Sequence, residues 1–205
     1  MPTPLPNTRL QNNILLATLP ETLNISGEDY AFKNDFKTVL RFFELQRDDR
    51  VFERHKSYVA LKMFFPVRLP HDAQGAFERL AWFIRCGKPE DNAKPRRPDF
   101  DFAHDAGIIF ASFWAQYSID LTVVRLHWWK FSALFMGLGE QTIFRQVLGL
   151  RNRKEDGMDT KAKQELRDAK KAWALPVDAY QEKRSNALAD ALLKGDAAAV
   201  QRALK

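Results

Sequence analysis

The chain has 205 residues, a formal net charge of +6 and a composition that is 45% hydrophobic, with 16 phenylalanines and 5 tryptophans. So many aromatic residues exclude a disordered chain and predict a buried core. The single cysteine, Cys86, excludes a disulfide framework within the chain, and no Cys and His residues have the spacing of a structural zinc site.

The N-terminal part predicts an arm followed by a hairpin. Residues 1–20 carry 4 prolines and little periodicity, which predicts a flexible arm without a core of its own. Apolar and polar residues then alternate on both sides of Gly27, from Leu23 to Phe32. This pattern is typical of a short β-hairpin, which needs an apolar surface to lie on.

The rest of the chain predicts helices. Three helices are expected between the hairpin and Gly87, which is placed to end a helix. The first starts at Asn34 or Asp35, the second near Asp49 and the third at His71-Asp72, and Pro66 ends the second. Residues 88–100 then carry 3 prolines and 7 charged residues, which predicts an exposed loop. We expect Asp101 to cap the next helix, and later helices at about 121–138, 140–150, 159–173, 178–193 and 196–204.

These elements predict a mainly α protein. Its parts are a flexible arm at 1–20, a compact helical domain at 21–176 with a small N-terminal β-hairpin, and a C-terminal helical extension at 177–205. The apolar stretches are too short for a signal peptide or for the roughly 20 residues that cross a bilayer, so no membrane association is expected.

The helix predicted at 121–138 carries two apolar stripes. The first has helical spacing at Leu121, Val124, Trp128, Phe131, Phe135 and Leu138. The second lies nearly opposite, at Leu126, Trp129, Ala133 and Met136. Such a helix is either a central core helix or one that uses the second stripe to bind another chain.

The C-terminal extension offers a second set of candidate protein-binding residues. Its predicted helices are rich in alanine and amphipathic, with apolar positions at Leu188, Leu192, Leu193, Val200 and Leu204. The alternative is that the extension packs back on its own domain.

The sequence does not predict an enzyme. It contains no glycine-rich phosphate loop and no GxSxG element. His127 has no second histidine within helical reach, so a capping or hydrogen-bonding role is expected. Cys86 is expected to be a small, partly buried residue at a helix end. No catalytic, cofactor-binding or metal-binding residue is predicted.

Several segments resemble one bacteriophage family. They are Trp82–Lys88, Asp105, Ser112–Leu121, Leu126–Leu138 and Ala174–Pro176, and they include the specific run His-Trp-Trp-Lys-Phe at 127–131. The chain is similar over about 25–176 to the family named for gene product fifteen. The family positions expected to be structural are Asp120, Leu121, His127, Trp128, Lys130 and Phe131.

The resemblance implies a non-enzymatic siphophage protein encoded in the tail module of a phage or prophage. It implies a tail assembly chaperone in the host bacterial cytoplasm, with the tape-measure protein and the major tail protein as partners. The alternatives are a structural component of the tail or baseplate and a nucleic-acid-binding protein, against which the small, interleaved charge argues. Self-association stays open.

Overall fold

The computed structural model describes residues 14–16, 18–89 and 99–176. In this part of the chain it has seven helices and one two-stranded antiparallel sheet, which confirms the mainly α fold with an N-terminal hairpin. Most of the predicted arm, most of the predicted loop at 88–100 and all of the extension at 177–205 lie outside the described residues, so these predictions stay open.

The elements follow one another in a simple order. The two strands are β1 (Thr22–Ile25) and β2 (Glu28–Ala31). The helices are α1 (Phe36–Arg47), α2 (Glu53–Phe64), α3 (Ala73–Ile84), α4 (Ala106–Tyr117), α5 (Trp128–Met136), α6 (Ile143–Asn152) and α7 (Thr160–Ala172).

The chain divides into two compact units. Among the described residues, unit 1 contains everything up to residue 89 together with Leu126–Ser132, and unit 2 contains 99–125 and 133–176. The residues of α5 are therefore shared between the two units.

The hairpin of unit 1 forms where the alternation predicts it. Leu23 pairs with Tyr30 and both side chains are buried, while β1 packs against α3. The turn between the strands consists of Ser26 and Gly27, both with positive φ (51° and 88°), as a two-residue hairpin turn requires. The carboxylate of Asp72 accepts hydrogen bonds from the Ser26 hydroxyl and from the Gly75 backbone, so the residue that caps α3 also holds the turn.

The first two helices differ in how well their starts are predicted. Of the two predicted caps, Asp35 is the one that caps α1, by accepting from the backbone N–H and the hydroxyl of Thr38. The second helix begins at Glu53 instead of near Asp49, because Asp48 accepts from the backbone and the guanidinium of Arg50 and so fixes a turn. These hydrogen bonds hold the pKa of the Asp48 carboxyl at about 2.

The prediction of a helix at 121–138 is wrong for the first half of that range. Only Trp128–Met136 is helical. Before it, Leu126 accepts from the Phe36 backbone (3.0 Å), and Trp128 donates to the Asn34 carbonyl (2.8 Å). This antiparallel bridge takes up the backbone groups that a helix would have used, so the two continuous stripes do not form.

The helices of unit 2 pack in sequence, α4 against α6 and α6 against α7. Thr142 caps α6 and Asp159 caps α7, close to the predicted starts. The expected cap Asp101 instead holds the turn before α4, where it accepts from Ala103 and His104, and Asp105 takes the N-cap position of α4.

A buried ion pair organises unit 2. The guanidinium of Arg151, on α6, donates to both carboxylate oxygens of Asp105 at 2.7 and 2.8 Å. The two side chains are 9% and 2% exposed. Arg151 also donates to the backbone carbonyls of Asp99 (3.0 Å) and Trp173 (2.8 Å). The Arg151 side chain therefore joins the start of α4 to Asp99 and to Trp173, which lie near the two ends of the described part of unit 2.

Replacing Arg151 tests how much this ion pair contributes to the free energy of unfolding. Arg151→Met leaves the Asp105 carboxylate buried without its partner, so we expect a loss of about 3–5 kcal/mol in the free energy of unfolding. Urea denaturation measures it. The control is Arg167→Met, which breaks the exposed pair with Glu155 and should change stability much less. Equal effects of the two substitutions would contradict the role given to Arg151.

Candidate protein-binding surface

The two tryptophans of the His-Trp-Trp-Lys-Phe run cap the end of α3. The indole N–H of Trp128 donates to the carbonyl of Ile84 (2.9 Å), and that of Trp129 donates to the carbonyl of Phe83 (2.8 Å). The last carbonyl groups of a helix have no helical partners, so they need donors from elsewhere. Two adjacent indoles therefore meet two adjacent carbonyls.

Aromatic packing surrounds these two hydrogen bonds. Trp129 stacks on Phe83 with ring centroids 6.2 Å apart. Phe131 stacks on Phe36 at 4.6 Å with an interplanar angle of 7°. Trp128, Trp129 and Phe131 are all buried, so this part of the run belongs to the core of unit 1.

The second predicted stripe is not a continuous surface. Trp129 is 3% exposed, so its side chain is not available to a partner. Leu126 is half-buried and lies before α5 begins. Ala133 and Met136 are exposed on α5, and Met136 is 75% exposed. The structure does not bring these four residues together as one exposed patch.

The other residues with a predicted role also differ in exposure. Leu121 is buried, Lys130 is exposed, and the Asp120 carboxylate holds a turn by accepting from the backbone and hydroxyl of Thr122. The C-terminal set lies outside the described residues, so its binding role stays a prediction: Leu188, Leu192, Leu193, Val200 and Leu204.

Both ring nitrogens of His127 have hydrogen-bond partners in the backbone. Its Nδ1 accepts from the backbone N–H of Trp129 (3.1 Å), and its Nε2 lies 3.2 Å from the carbonyl of Pro20. Because Nδ1 accepts, the proton sits on Nε2 and is donated to Pro20. Burial of the neutral ring lowers the pKa of His127 below its ordinary value of 6.5.

The metal-binding and nucleophilic residues of the described ranges lie apart from one another. Among the described residues, no group of three or more His, Cys, Asp and Glu side chains is placed to hold a metal ion. Cys86 is half-buried in a left-handed conformation (φ 55°) just after α3, and burial raises the pKa of its thiol. A raised pKa reduces the thiolate fraction, which is the reactive form.

The most apolar exposed helix is α4, which has no charged residue among its 12. Its inner side is fixed to unit 2 by Phe113, which is fully buried, and by Ser112, whose hydroxyl accepts from the Phe144 backbone at the start of α6. Its C-terminal end is held by Gln116, which exchanges hydrogen bonds with the backbone of Gly137 and Gly139.

The outer side of α4 combines small residues with an aromatic pair. Gly107, Ala111 and Ala115 are exposed at a spacing of four residues. Trp114 is 55% exposed and stacks on half-buried Phe110. A Cβ atom at Gly107 would meet nothing within 4 Å, so the helix backbone is open to close approach. We call these five residues the α4 surface.

Sequence reasoning predicted this helix but missed its outer side. The signal was present: α4 lacks charge on every side, and its small residues recur every four positions away from Phe113. A helix without charge is usually buried all round, and here one side is not. The exposed aromatic side chains at the start of α2 and on it differ, because Arg54 lies over the ring of Phe52 and Lys62 over the ring of Tyr58.

Comparison with known proteins matches most of the chain to a protein family. The family model described as Bacteriophage Gp15 protein matches residues 15–175. No curated protein and no solved structure matches the chain. No helix in the described ranges is long and apolar enough to cross a membrane.

Shortening the indole to a phenyl ring tests the cap on α3. Trp128→Phe keeps an aromatic ring but removes the donor to the Ile84 carbonyl, so we expect a loss of about 1–3 kcal/mol in the free energy of unfolding. The control is Trp114→Phe, because Trp114 lies on the exposed side of α4, and it should leave stability nearly unchanged. Equal unfolding curves for the two variants would show that the hydrogen bond adds nothing.

Acid should weaken unit 1 through His127. Its pKa is lower in the folded than in the unfolded protein, so the unfolded chain takes up the proton first as the pH falls below about 6.5. The free energy of unfolding should therefore fall as the pH drops below about 7. His127→Asn keeps a capping acceptor that does not titrate, and should flatten this fall. Identical pH profiles for the two proteins would rule out the contribution of His127.

Proposed function

The chain belongs to the bacteriophage Gp15 protein family, whose members are phage structural or assembly proteins, and we propose that it is a tail assembly chaperone that binds the tape-measure protein through the α4 surface. The family is not known as enzymatic. The partner and the surface are our inference, since membership in the family names neither.

The exposed side of α4 is the observation that carries this proposal. A tape-measure protein is long and helical, so a chaperone for it needs a surface that accepts apolar helix faces. Small residues let a partner backbone come close, and an exposed tryptophan supplies apolar contact area. Gly107, Ala111 and Ala115 provide the first, and Trp114 provides the second.

The same surface is suited to release. One helix face of about three turns is small compared with a stable protein interface, so each copy would bind the client weakly. Many copies along one client would together hold it, while each copy could still be displaced. We propose that subunits of the major tail protein displace this protein as the tube forms.

This process would take place in the cytoplasm of the infected or lysogenic bacterium. A structural protein of the tail or baseplate would also bind other tail proteins, so the partner list alone does not separate the two functions. The difference lies in the finished particle, from which a chaperone is absent.

We expect this protein to co-purify with the tape-measure protein of the same phage when the two are co-expressed. Trp114→Glu places a charge on the α4 surface and should reduce co-purification by about tenfold or more, since a charge is costly to bury. Val67→Glu is the matched control, because Val67 is 90% exposed and lies in unit 1. It should bind as the unchanged protein does.

Two results would overturn parts of this proposal. Equal binding by the two variants would remove the α4 surface from the interaction. Mass spectrometry of purified particles tests the rest: absence of the protein supports a chaperone, while a fixed copy number in every particle makes it a structural component.

A further inference from the structure

The outer side of α2, in unit 1, combines exposed aromatic rings with cations. Phe52, the N-cap residue of the helix, and Tyr58 are both more than half exposed. Cζ of Arg54 lies 5.4 Å from the ring centroid of Phe52, and Nζ of Lys62 lies 5.9 Å from that of Tyr58. We propose that this side of α2 binds an acidic amphipathic helix of another protein. The proposal does not depend on the role given to α4.

Helical spacing arranges these residues in two rows. Arg54, Tyr58 and Lys62 recur every four residues, so that a tyrosine lies between two cations. His55 and Val59 form the row beside it. The buried side chains of α2 lie on the other side of the helix. The α2 surface is defined by these exposed residues: Phe52, Arg54, His55, Tyr58, Val59 and Lys62.

The α2 surface carries cations but no carboxylate. Glu53 is the one acidic residue of α2, and its carboxylate accepts from Nζ of the buried Lys56 at 2.7 Å. Neither Arg54 nor Lys62 forms an ion pair with a carboxylate of the described ranges. An acidic partner would supply the anions that this part of the chain does not bring to the two cations.

The aromatic rings prepare the two cations for such a partner. A ring attracts a cation over its face, which restricts the motion of the long side chain. A side chain that is already restricted loses less rotamer freedom when a partner binds. The guanidinium of Arg54 and the ammonium of Lys62 have five and three N–H donors, so a carboxylate can approach them from solvent without displacing them from the rings.

The spacing of the cations defines the partner. Arg54 and Lys62 are separated by two helical turns, or about 12 Å at roughly 1.5 Å per residue. A helix with carboxylates at positions i and i+8 and an apolar side chain at i+4 presents all three on one face. Its carboxylates would then lie opposite the two cations, and its apolar side chain would pack on Tyr58.

A single-stranded nucleic acid fits the α2 surface less well. Binding sites for single strands combine a groove of cations along the backbone with aromatic faces on which bases stack. On the α2 surface the permanent cations are Arg54 and Lys62, and each of them lies over an aromatic ring. The cations therefore compete with bases for the ring faces, whereas they remain open to carboxylates.

A synthetic peptide tests the proposal on the full-length protein. The probe is a helical peptide with glutamate at i and i+8 and leucine at i+4, and the control peptide has glutamine in place of both glutamates. We expect the glutamate peptide to bind at least tenfold more tightly than the glutamine peptide. In nuclear magnetic resonance spectra it should shift the backbone amide resonances of Tyr58 and Val59, while those of Ala111 and Ala115 on α4 stay in place.

Charge reversal tests where the peptide binds. Arg54→Glu/Lys62→Glu should weaken binding of the glutamate peptide about tenfold or more, because like charges would then face each other. The matched control is Lys161→Glu/Lys171→Glu, which reverses two exposed lysines of α7 and changes the net charge by the same amount. It should bind as the unchanged protein does. All four side chains are exposed, so both variants should keep the unfolding curve of the unchanged protein.

Four results would overturn the inference. The first is no binding of the glutamate peptide, and the second is equal binding by the two variants, which would assign the attraction to net charge alone. The third is tighter binding of an oligothymidine strand than of the peptide, which would make the α2 surface a nucleic-acid site. The fourth is a shift of the Tyr58 resonance with protein concentration alone, which would assign the surface to a second copy of the chain.

Discussion

Unit 1 depends on hydrogen-bond donors for the last backbone carbonyl groups of α3, which have no partners within the helix. Trp128 and Trp129 supply them side by side, and to do so they must arrive from a segment that pairs with the backbone beside Asn34. This geometry explains why two tryptophans are adjacent in the sequence and why the chain before them is extended. The His-Trp-Trp-Lys-Phe run at 127–131 therefore has a structural role, and the exposed apolar helix is α4.

Local patterns were sufficient to predict most of the fold. The alternation around Gly27 gave the hairpin, and the acidic residues Asp35 and Asp72 marked two helix starts, because a turn and a cap each depend on a few neighbouring residues. The helix at 121–138 failed for the opposite reason. Apolar spacing within that segment carries no information about a backbone bridge to residues some 90 positions earlier, at Asn34 and Phe36.

The candidate surface was harder to predict than the fold. The sequence marked α4 as apolar but could not tell which side would remain uncovered, since that depends on where α6 and its Arg151 lie. The pair of Arg151 with Asp105 joins residues 46 positions apart. Capping residues can be recognised along the chain, whereas a long-range pair of this kind needs the three-dimensional structure.

Because α4 carries no charged residue, contacts made by its outer side should depend little on salt concentration. Dissolved ions screen interactions between charges and have little effect on contacts between uncharged groups. A partner held by the outer side of α4 would therefore feel almost the same attraction from that helix in dilute buffer and at the ionic strength of a bacterial cell. A rise in salt concentration would leave such a contact nearly unchanged while it weakens contacts between charged groups.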